Sequence, residues 1–350
     1  MLDNTTMIAM SGGVDSSVAA YQMLQAGYNC IGATMQLKST EHTCEIDDAR
    51  NVAQRLGIPF SVFDHTEDFR CMVIEPFIRC YEAGGTPNPC VSCNRHLKFD
   101  ALLRRALDTG CSYIATGHYA KTEQDPHTGR YFLYRSGDKT KDQTYFLASL
   151  SQHQLAHTKF PLGAMTKEEV RQIAEAQGFM NARKRDSQDI CFIPDGDYKA
   201  FMERYTGKVY PAGDYLDKAG NVVGRHCGAV GYTIGQRKGL GVAMGEPVYV
   251  CAKDMENNTV TLGSNDVLFK SVLRANDWNW IPFSRLTEPI RVMAKVRYRH
   301  TEQPATVYPE EDGFARVEFD EPQRAITTGQ AVVLYDGDLV IGGGTITQVL

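Results

Sequence analysis

Apolar residues along the first 200 positions fall into short runs separated by amphipathic stretches. Ile8-Ala-Met10 suits a buried strand, and Val14, Val18, Ala19 and Met23 follow it at roughly helical spacing. Cys30-Ile-Gly-Ala-Thr-Met35 reads as a second buried strand, residues 44–56 are helical by period, and Phe60-Ser-Val-Phe63 reads as a third strand. Ser112-Tyr-Ile-Ala115 is apolar enough for a fourth. Short strands alternating with helices predict an α/β domain with a parallel, doubly wound sheet. In such a sheet ligands bind outside the carboxyl ends of the strands. The segments expected there are the turn at Ser11, Met35, and Thr116-Gly-His-Tyr119.

Further along, residues 122–135 carry Asp125-Pro126 and a Tyr131-Phe-Leu-Tyr134 run, a hairpin pattern crossing the domain surface. Lys139-Thr-Lys-Asp-Gln-Thr-Tyr145 opens a helix, and Met165-Thr-Lys-Glu-Glu169 supplies an N-cap and acidic first turn for another, running to about Gln177. Beyond about 205 the helical period gives way to β patterning rich in glycine. Residues 248–254 and 258–263 predict a hairpin, and five strands, at 290–298, 305–308, 315–319, 331–335 and 339–346, predict a small barrel. The expected division is 1–204, 205–272 and 273–350.

The chain has 350 residues, enough for two or three domains with a core each. No apolar run approaches a membrane span, and the first residues lack the basic and apolar regions of a signal peptide, so a cytoplasmic protein is expected. Ten cysteines in a reducing compartment do not predict a disulfide framework. The net charge of −5 neither announces nor excludes a nucleic-acid partner, because phosphate affinity follows local clusters of Lys and Arg. Lys295, Arg297, Arg299 and His300 form such a cluster around Tyr298, on one strand and its end; an RNA contact and a solvated edge strand explain it equally well.

Gly12 and Gly13 let successive backbone N–H groups converge on an anion at the start of the first helix. The Lys-Ser/Thr pair of a Walker loop is missing, which disfavours simple γ-phosphate transfer. Gly84-Gly-Thr-Pro-Asn-Pro-Cys-Val-Ser-Cys-Asn94 is an irregular loop ending in Cys90 and Cys93, at or near a helix N-terminus whose dipole would lower thiol pKa. Alone, that pair is shared by redox sites, half zinc sites and chance.

Ser11-Gly-Gly-Val-Asp-Ser16 resembles the PP-loop of the ATP pyrophosphatases, which split ATP at the α-phosphate and adenylate a carbonyl or amide oxygen. Joined to Thr86-Pro-Asn-Pro89, Cys93-Asn94, Ala115-Thr-Gly-His118, Lys141-Asp-Gln143, Asp186-Ser-Gln-Asp-Ile-Cys191, Tyr232-Thr-Ile-Gly-Gln-Arg-Lys-Gly-Leu-Gly241 and Glu321-Pro-Gln-Arg324, it closely resembles the bacterial tRNA-specific 2-thiouridylases over nearly the whole chain. The resemblance implies a Rossmann-like PP-loop domain, a small β-rich central domain that contacts tRNA, and a C-terminal β-barrel. It implies an ATP-dependent sulfurtransferase that adenylates the carbon-2 oxygen of the wobble uridine and replaces it with sulfur.

By the same resemblance Ala9, Met10, Ser11, Gly12, Gly13, Val14, Asp15 and Ser16, with Met35 and Gly117, would hold ATP, and Asp15 would sit near Mg²⁺. Cys191 would carry a persulfide and Cys93 would attack it, leaving a Cys93–Cys191 disulfide to be reduced between turnovers. Asn88, Pro89 and Cys90 would lie against the target base; His118, Lys141, Asp142, Gln143, Arg297, Tyr298 and Gln330 would touch tRNA. Some relatives carry an acid at the Cys90 position. The thiol there raises a less favoured alternative, an iron–sulfur cluster on Cys90, Cys93 and Cys191. The implied partners are tRNAs for Lys, Glu and Gln and a cysteine desulfurase or sulfur-relay protein, with a monomer as default. Two rival readings, a ligase acting on a small molecule and a non-catalytic RNA-binding protein, leave either the two motif-borne cysteines or Asp15 and Ser16 without a purpose.

Overall fold

The computed structural model describes residues 4–38, 43–184, 190–242 and 244–350. Positions 186–189 of the Asp186 to Cys191 motif lie outside the described residues.

Strands β1 (Thr5–Ala9), β2 (Asn29–Gln36), β3 (Phe60–Asp64) and β4 (Tyr113–Ala115) pair in parallel, in the order β3-β2-β1-β4. Parallel strands need crossovers, supplied by α1 (Val14–Gln25) after β1 and α2 (Thr43–Leu56) after β2. Successive residues of β1 point to opposite faces. Ile8 and Met10 pack with Val18, Ala19, Met23 and Val52, whereas Met7 packs with Ile114, Phe99, Leu102 and Leu103. Burial on both faces is why these strands are continuous apolar runs.

The expected hairpin forms from β5 (Ala120–Gln124) and β6 (Tyr131–Arg135). A fifth parallel strand, β7 (Thr158–Lys159), then pairs outside β4. At two residues it is too short to show a period. The order reverses between β1 and β4, so a crevice opens beyond their carboxyl ends.

Pro89 starts the short helix α3 (Pro89–Cys93), which runs on without a break through a π-helical segment, Asn94–Ala101, into the helical turns Leu102–Asp108. The helix expected to open near Tyr145 is a single turn, Thr144–Leu147. Helix α4 (Lys167–Ala176) has the expected start: Thr166 Oγ1 accepts from the Glu169 amide, and the Glu169 carboxylate accepts from the Thr166 amide.

The central β region holds β8 (Gly213–Leu216), β9 (Val222–His226), β10 (Tyr249–Asp254) and β11 (Thr259–Gly263) in the order β10-β11-β8-β9; β10 and β11 are the expected hairpin. The C-terminal barrel has six strands and not five: β12 (Phe269–Trp280), β13 (Ile290–Lys295), β14 (Gln303–Pro309), β15 (Ala315–Arg324), β16 (Ala331–Asp336) and β17 (Leu339–Val349). Pairing of β12 with both β15 and β17 closes it. The extra strand escapes the sequence reading because Asp277 takes a left-handed φ of 51° and the register slips between Asn276 and Asn279, breaking the alternation. β12 also begins before position 273. Strand β13 stops at Lys295, so Arg297 to His300 lie in a turn closed by the His300 amide on Arg297 O, and not on a strand.

Barrel and α/β domain share a core. Strand β6 pairs with β17 at Tyr134 and Leu339, and Leu133, Val333, Tyr335 and Val340 join the cluster that holds Met7 and Ile114. Arg135 lies 3.9 Å above the Tyr335 ring and pairs with Glu302 at 2.9 Å. No helix among the described residues is long and apolar enough to cross a membrane.

Candidate active site

The turn after β1 is built to stay close to its neighbours. Gly12 has φ +71°, and a Cβ there would lie 2.4 Å from the Glu45 carbonyl oxygen. Gly13 is the N-cap of α1 and no side chain caps that helix, so its first amides are available to an anion. Ser16 Oγ accepts from the Ser11 amide at 3.2 Å, donates to Gly13 O at 3.0 Å and faces Ser11 Oγ at 3.3 Å. Buried Asn181 holds the turn from behind, donating to Gly12 O at 3.0 Å and Ser17 Oγ at 2.9 Å. Across the crevice, a Cβ on Gly117 would lie 2.7 Å from both the Asp15 carbonyl carbon and the Ser16 nitrogen. The turn after β4 therefore rests directly on the start of α1. Met35, at the end of β2, packs against both the sheet core and the cluster around Cys93.

Asp15 projects from the first turn of α1. Lys167 Nζ donates to both its carboxylate oxygens, at 2.7 and 2.8 Å, and Tyr119 OH donates to Oδ1 at 2.9 Å. Lys167 is buried at the first position of α4, the end of a helix whose dipole opposes a cation. Asp15 supplies the compensation.

The second half of the site is made of thiols. All ten cysteines are free. Cys93 is buried, and burial pushes its thiol up to about 11 despite an opposing pull from Lys98. Cys90 and Cys191 reach solvent, yet the protein packed around them raises both thiols, again against Lys98 and, for Cys191, Lys38. The expectation that a helix N-terminus lowers these values does not hold. Cys93 closes α3 where the chain continues helically, so it sits behind the open amides, and desolvation dominates. Cys191 raises the pKa of both Cys90 and Cys93, and Cys90 that of Cys93, so the fold brings the Cys90–Cys93 segment and Cys191 together. Lys38 Nζ donates to Cys191 O. Phe192 and Ile193 pack in the cluster that holds Cys93 and Leu97. Among the described residues no group of three or more His, Cys, Asp or Glu is gathered so as to hold a metal ion.

The residues expected at tRNA divide in two. Gln330 Nε2 donates to Thr86 O at 2.8 Å and Pro87 O at 3.3 Å, tying the barrel to the loop that carries Asn88, Pro89 and Cys90. Lys141, Arg299 and Asp142 act on Tyr298, whose ring lies 4.4 Å from that of Phe146; the 141–143 loop and the barrel turn thus meet. Other members face inward. Asp142 accepts from Thr144 Oγ1 at 2.7 Å and the Ser136 amide at 3.2 Å, and Gln143 Oε1 accepts from the Tyr119 amide at 2.9 Å. Arg297 Nη2 donates to Ile234 O, Ala325 O and Thr327 Oγ1, joining the central region to the barrel. His118 bonds Thr116 Oγ1 through Nδ1 at 2.9 Å and packs on Phe99; burial, with Lys98 nearby, holds its pKa well below the ordinary value.

Four residues of this site carry no role in the sequence reading: Lys98, Tyr119, Lys167 and Asn181. Lys167 offers the one local signal, a cation at the wrong end of a helix. The others show their purpose only when distant segments meet.

Comparison with known proteins finds three family models along the chain. The family model described as "tRNA methyl transferase HUP domain" matches residues 4–195, "tRNA methyl transferase PRC-barrel domain" matches 199–264, and "Aminomethyltransferase beta-barrel domain" matches 270–346. The chain is 48% identical to the tRNA-specific 2-thiouridylase MnmA of Clostridioides difficile over 359 residues, covering 100% of this chain and 99% of the relative. It is 49% identical to the tRNA-specific 2-thiouridylase MnmA of Acetivibrio thermocellus over 358 residues, covering 99% of this chain and 100% of the relative. With its PP-loop at the switch point of the sheet, its grouped thiols and near-complete coverage at this identity, the chain belongs to the tRNA-specific 2-thiouridylase family.

Proposed function

We propose that the protein is an ATP-dependent tRNA 2-thiouridylase in which Cys93 and Cys191 handle the sulfur. The supporting observation is the joining of two chemistries at one crevice. An uncapped helix start with Ser11 and Ser16 suits a pyrophosphate, and a buried and an exposed thiol from remote parts of the chain suit sulfur transfer. The family-model label speaks of methyl transfer, whereas the full-length relatives are thiouridylases. The thiol group favours sulfur.

ATP lies along residues 9–16 with Met35 and Gly117 around the nucleotide; the close fit of Gly117 on α1 leaves the crevice to the ligand. The Asp15 carboxylate would hold Mg²⁺, whose charge offsets that of the phosphates. AMP passes to the carbon-2 oxygen of the wobble uridine, and pyrophosphate leaves. The terminal sulfur of a Cys191 persulfide attacks carbon-2 and AMP departs with the oxygen. The Cys93 thiolate then attacks the Cys191 sulfur. A Cys93–Cys191 disulfide forms, the sulfur–sulfur bond to the transferred atom breaks, and that atom keeps the electron pair as 2-thiouridine. Two thiolates are oxidised and the sulfane sulfur is reduced; a dithiol reductant restores the enzyme.

A cluster reading on Cys90, Cys93 and Cys191 lacks a gathered ligand set among the described residues, and no step is assigned to one. We assign the parts as 1–204, 205–268 and 269–350, the last limit moved from 273 to the start of β12, with tRNA held by Asn88, Pro89, Cys90, His118, the 141–143 loop, Arg297, Tyr298 and Gln330. The substrates are tRNAs for Lys, Glu and Gln, the donor a cysteine desulfurase or relay protein, and the enzyme a cytoplasmic monomer.

The test is anaerobic thiolation of unmodified tRNA with ATP, Mg²⁺ and a persulfide source, with iron measured in every preparation. Loss with Cys93→Ala and Cys191→Ala but not Cys90→Ala is expected. Loss with all three, in step with bound iron, would overturn the persulfide route.

A further inference from the structure

Lys98 is the residue of this crevice that neither the motifs nor the bonding pattern explains. It is half-buried, and among the described residues it makes no hydrogen bond or ion pair. Half-buried ammonium groups ordinarily find a carboxylate or a carbonyl. Its neighbours are instead three thiols and a neutral imidazole: Cys90 and Cys93 from α3, Cys191 from the segment after the 185–189 gap in the described residues, and His118 after β4.

The backbone places it there. Five residues along an α-helix turn the chain by about 500°, so Cys93 and Lys98 would point roughly 140° apart. From Asn94 to Ala101 the helix is π-type, closed by N–H groups that bond the carbonyl five residues back, as the Leu102 N–H bonds Leu97 O. That register brings residue 98 over residue 93. The wider turn aims the ammonium along the helix side that carries the buried thiol.

We infer that Lys98 is the positioning cation of the thiolation step, the fixed positive charge that stabilises the Cys93 sulfur anion as it attacks. The inference rests on the reading of Cys93 as the attacking thiol. Desolvation disfavours the thiolate, and a cation with no competing partner among the described residues opposes that penalty where water cannot. Among the described residues the other charges facing these sulfurs are Lys38 and Glu45, both acting on Cys191 and neither on Cys93. Among the described residues Lys98 alone of the charged side chains reaches both ends of the future disulfide.

The experiment follows methyl methanethiosulfonate modification of Cys93 in the full chain by peptide mass spectrometry, across pH, for wild type, K98Q, K98M, K98R and K38Q. K98Q and K98M should move the midpoint for Cys93 upward by about one pH unit. The rate at neutral pH then falls roughly three- to fourfold, because the tenfold loss of thiolate is partly offset by the greater nucleophilicity of a more basic sulfur. K98R restores the wild-type profile, and K38Q alters Cys191 but not Cys93. Pyrophosphate exchange into ATP reports the nucleotide half and stays at the wild-type rate in K98Q, whereas single-turnover thiolation slows with the modification rate. A wild-type Cys93 profile in both K98Q and K98M overturns the inference, as does failure of K98R to restore it. Thiolation that survives Cys93→Ala would overturn the sulfur-transfer reading and leave the modification profiles standing, so the two failures are distinguishable.

Discussion

Replacing Gly117 with alanine separates steric from conformational effects at the nucleotide crevice. Gly117 does not adopt a positive φ, so alanine brings no backbone strain of its own. Its Cβ, however, would lie 2.7 Å from the Asp15 carbonyl carbon and the Ser16 nitrogen. An ordinary contact needs about 3.5 Å, so the turn after β4 and the start of α1 must part by about 0.8 Å. Both struck atoms are backbone, and no rotamer change relieves them. Overpacking of this kind costs about 1–3 kcal/mol. The displaced amides are those that face the anion, so much of that cost falls on nucleotide binding, and affinity should drop roughly 5- to 150-fold. The assay is calorimetric titration with a non-hydrolysable ATP analogue, paired with pyrophosphate exchange and circular dichroism. An alanine variant that binds the analogue within about twofold of wild type would refute the reasoning, because the crevice would then tolerate a separation it is argued to forbid.

Other perturbations probe the remaining contacts. Lys167→Met leaves Asp15 with only Tyr119 among the described residues; the pair is partly buried, with 11% and 31% of the two side chains exposed, so the loss should be about 2 kcal/mol, between exposed and buried cases. Thermal melting should record it, and adding Asp15→Asn should recover part; equal melting of wild type and Lys167→Met would count against the pair. Gln330→Ala removes the bonds to Thr86 O and Pro87 O, worth about 1 kcal/mol net, and should raise KM for tRNA roughly fivefold while leaving pyrophosphate exchange at saturating tRNA unchanged. For Cys93 the sign follows from a folded pKa raised from 9.0 to about 11. The unfolded chain loses this proton first, so the contribution is complete below pH 9 and falls away as pH rises toward 11, by roughly 2 kcal/mol. Urea midpoints measured between pH 8 and 11 should decline less steeply in Cys93→Ala than in wild type, and parallel declines would contradict the assignment.

Much of the architecture is legible in the chain because its signals are local. A buried parallel strand must be apolar on both faces, a helix must repeat near 3.6, and a turn that meets an anion must lack side chains; Ile8 to Met10, Val14 to Met23 and Gly12-Gly13 satisfy these within twenty residues. The capping box at Thr166 and Glu169 is equally local. The alternation of strands and helices demanded crossovers and so a parallel sheet, though not its strand order, and the motifs around the thiols marked which of them matter.

Tertiary structure decided everything that depends on distant segments meeting. Strand β12 closes the barrel across a bulge at Asp277 that hides its alternation. Burial, and not the nearby helix start, sets the Cys93 thiol high, since desolvation depends on what the fold stacks over it. The ion pair of Asp15 with Lys167, the grip of Asn181 on Gly12 and the tether from Gln330 to Thr86 span 152, 169 and 244 positions. No periodicity or propensity reaches so far. A short-range pattern specifies a residue's own conformation and face, but which charge stands opposite it is set only when the chain has packed.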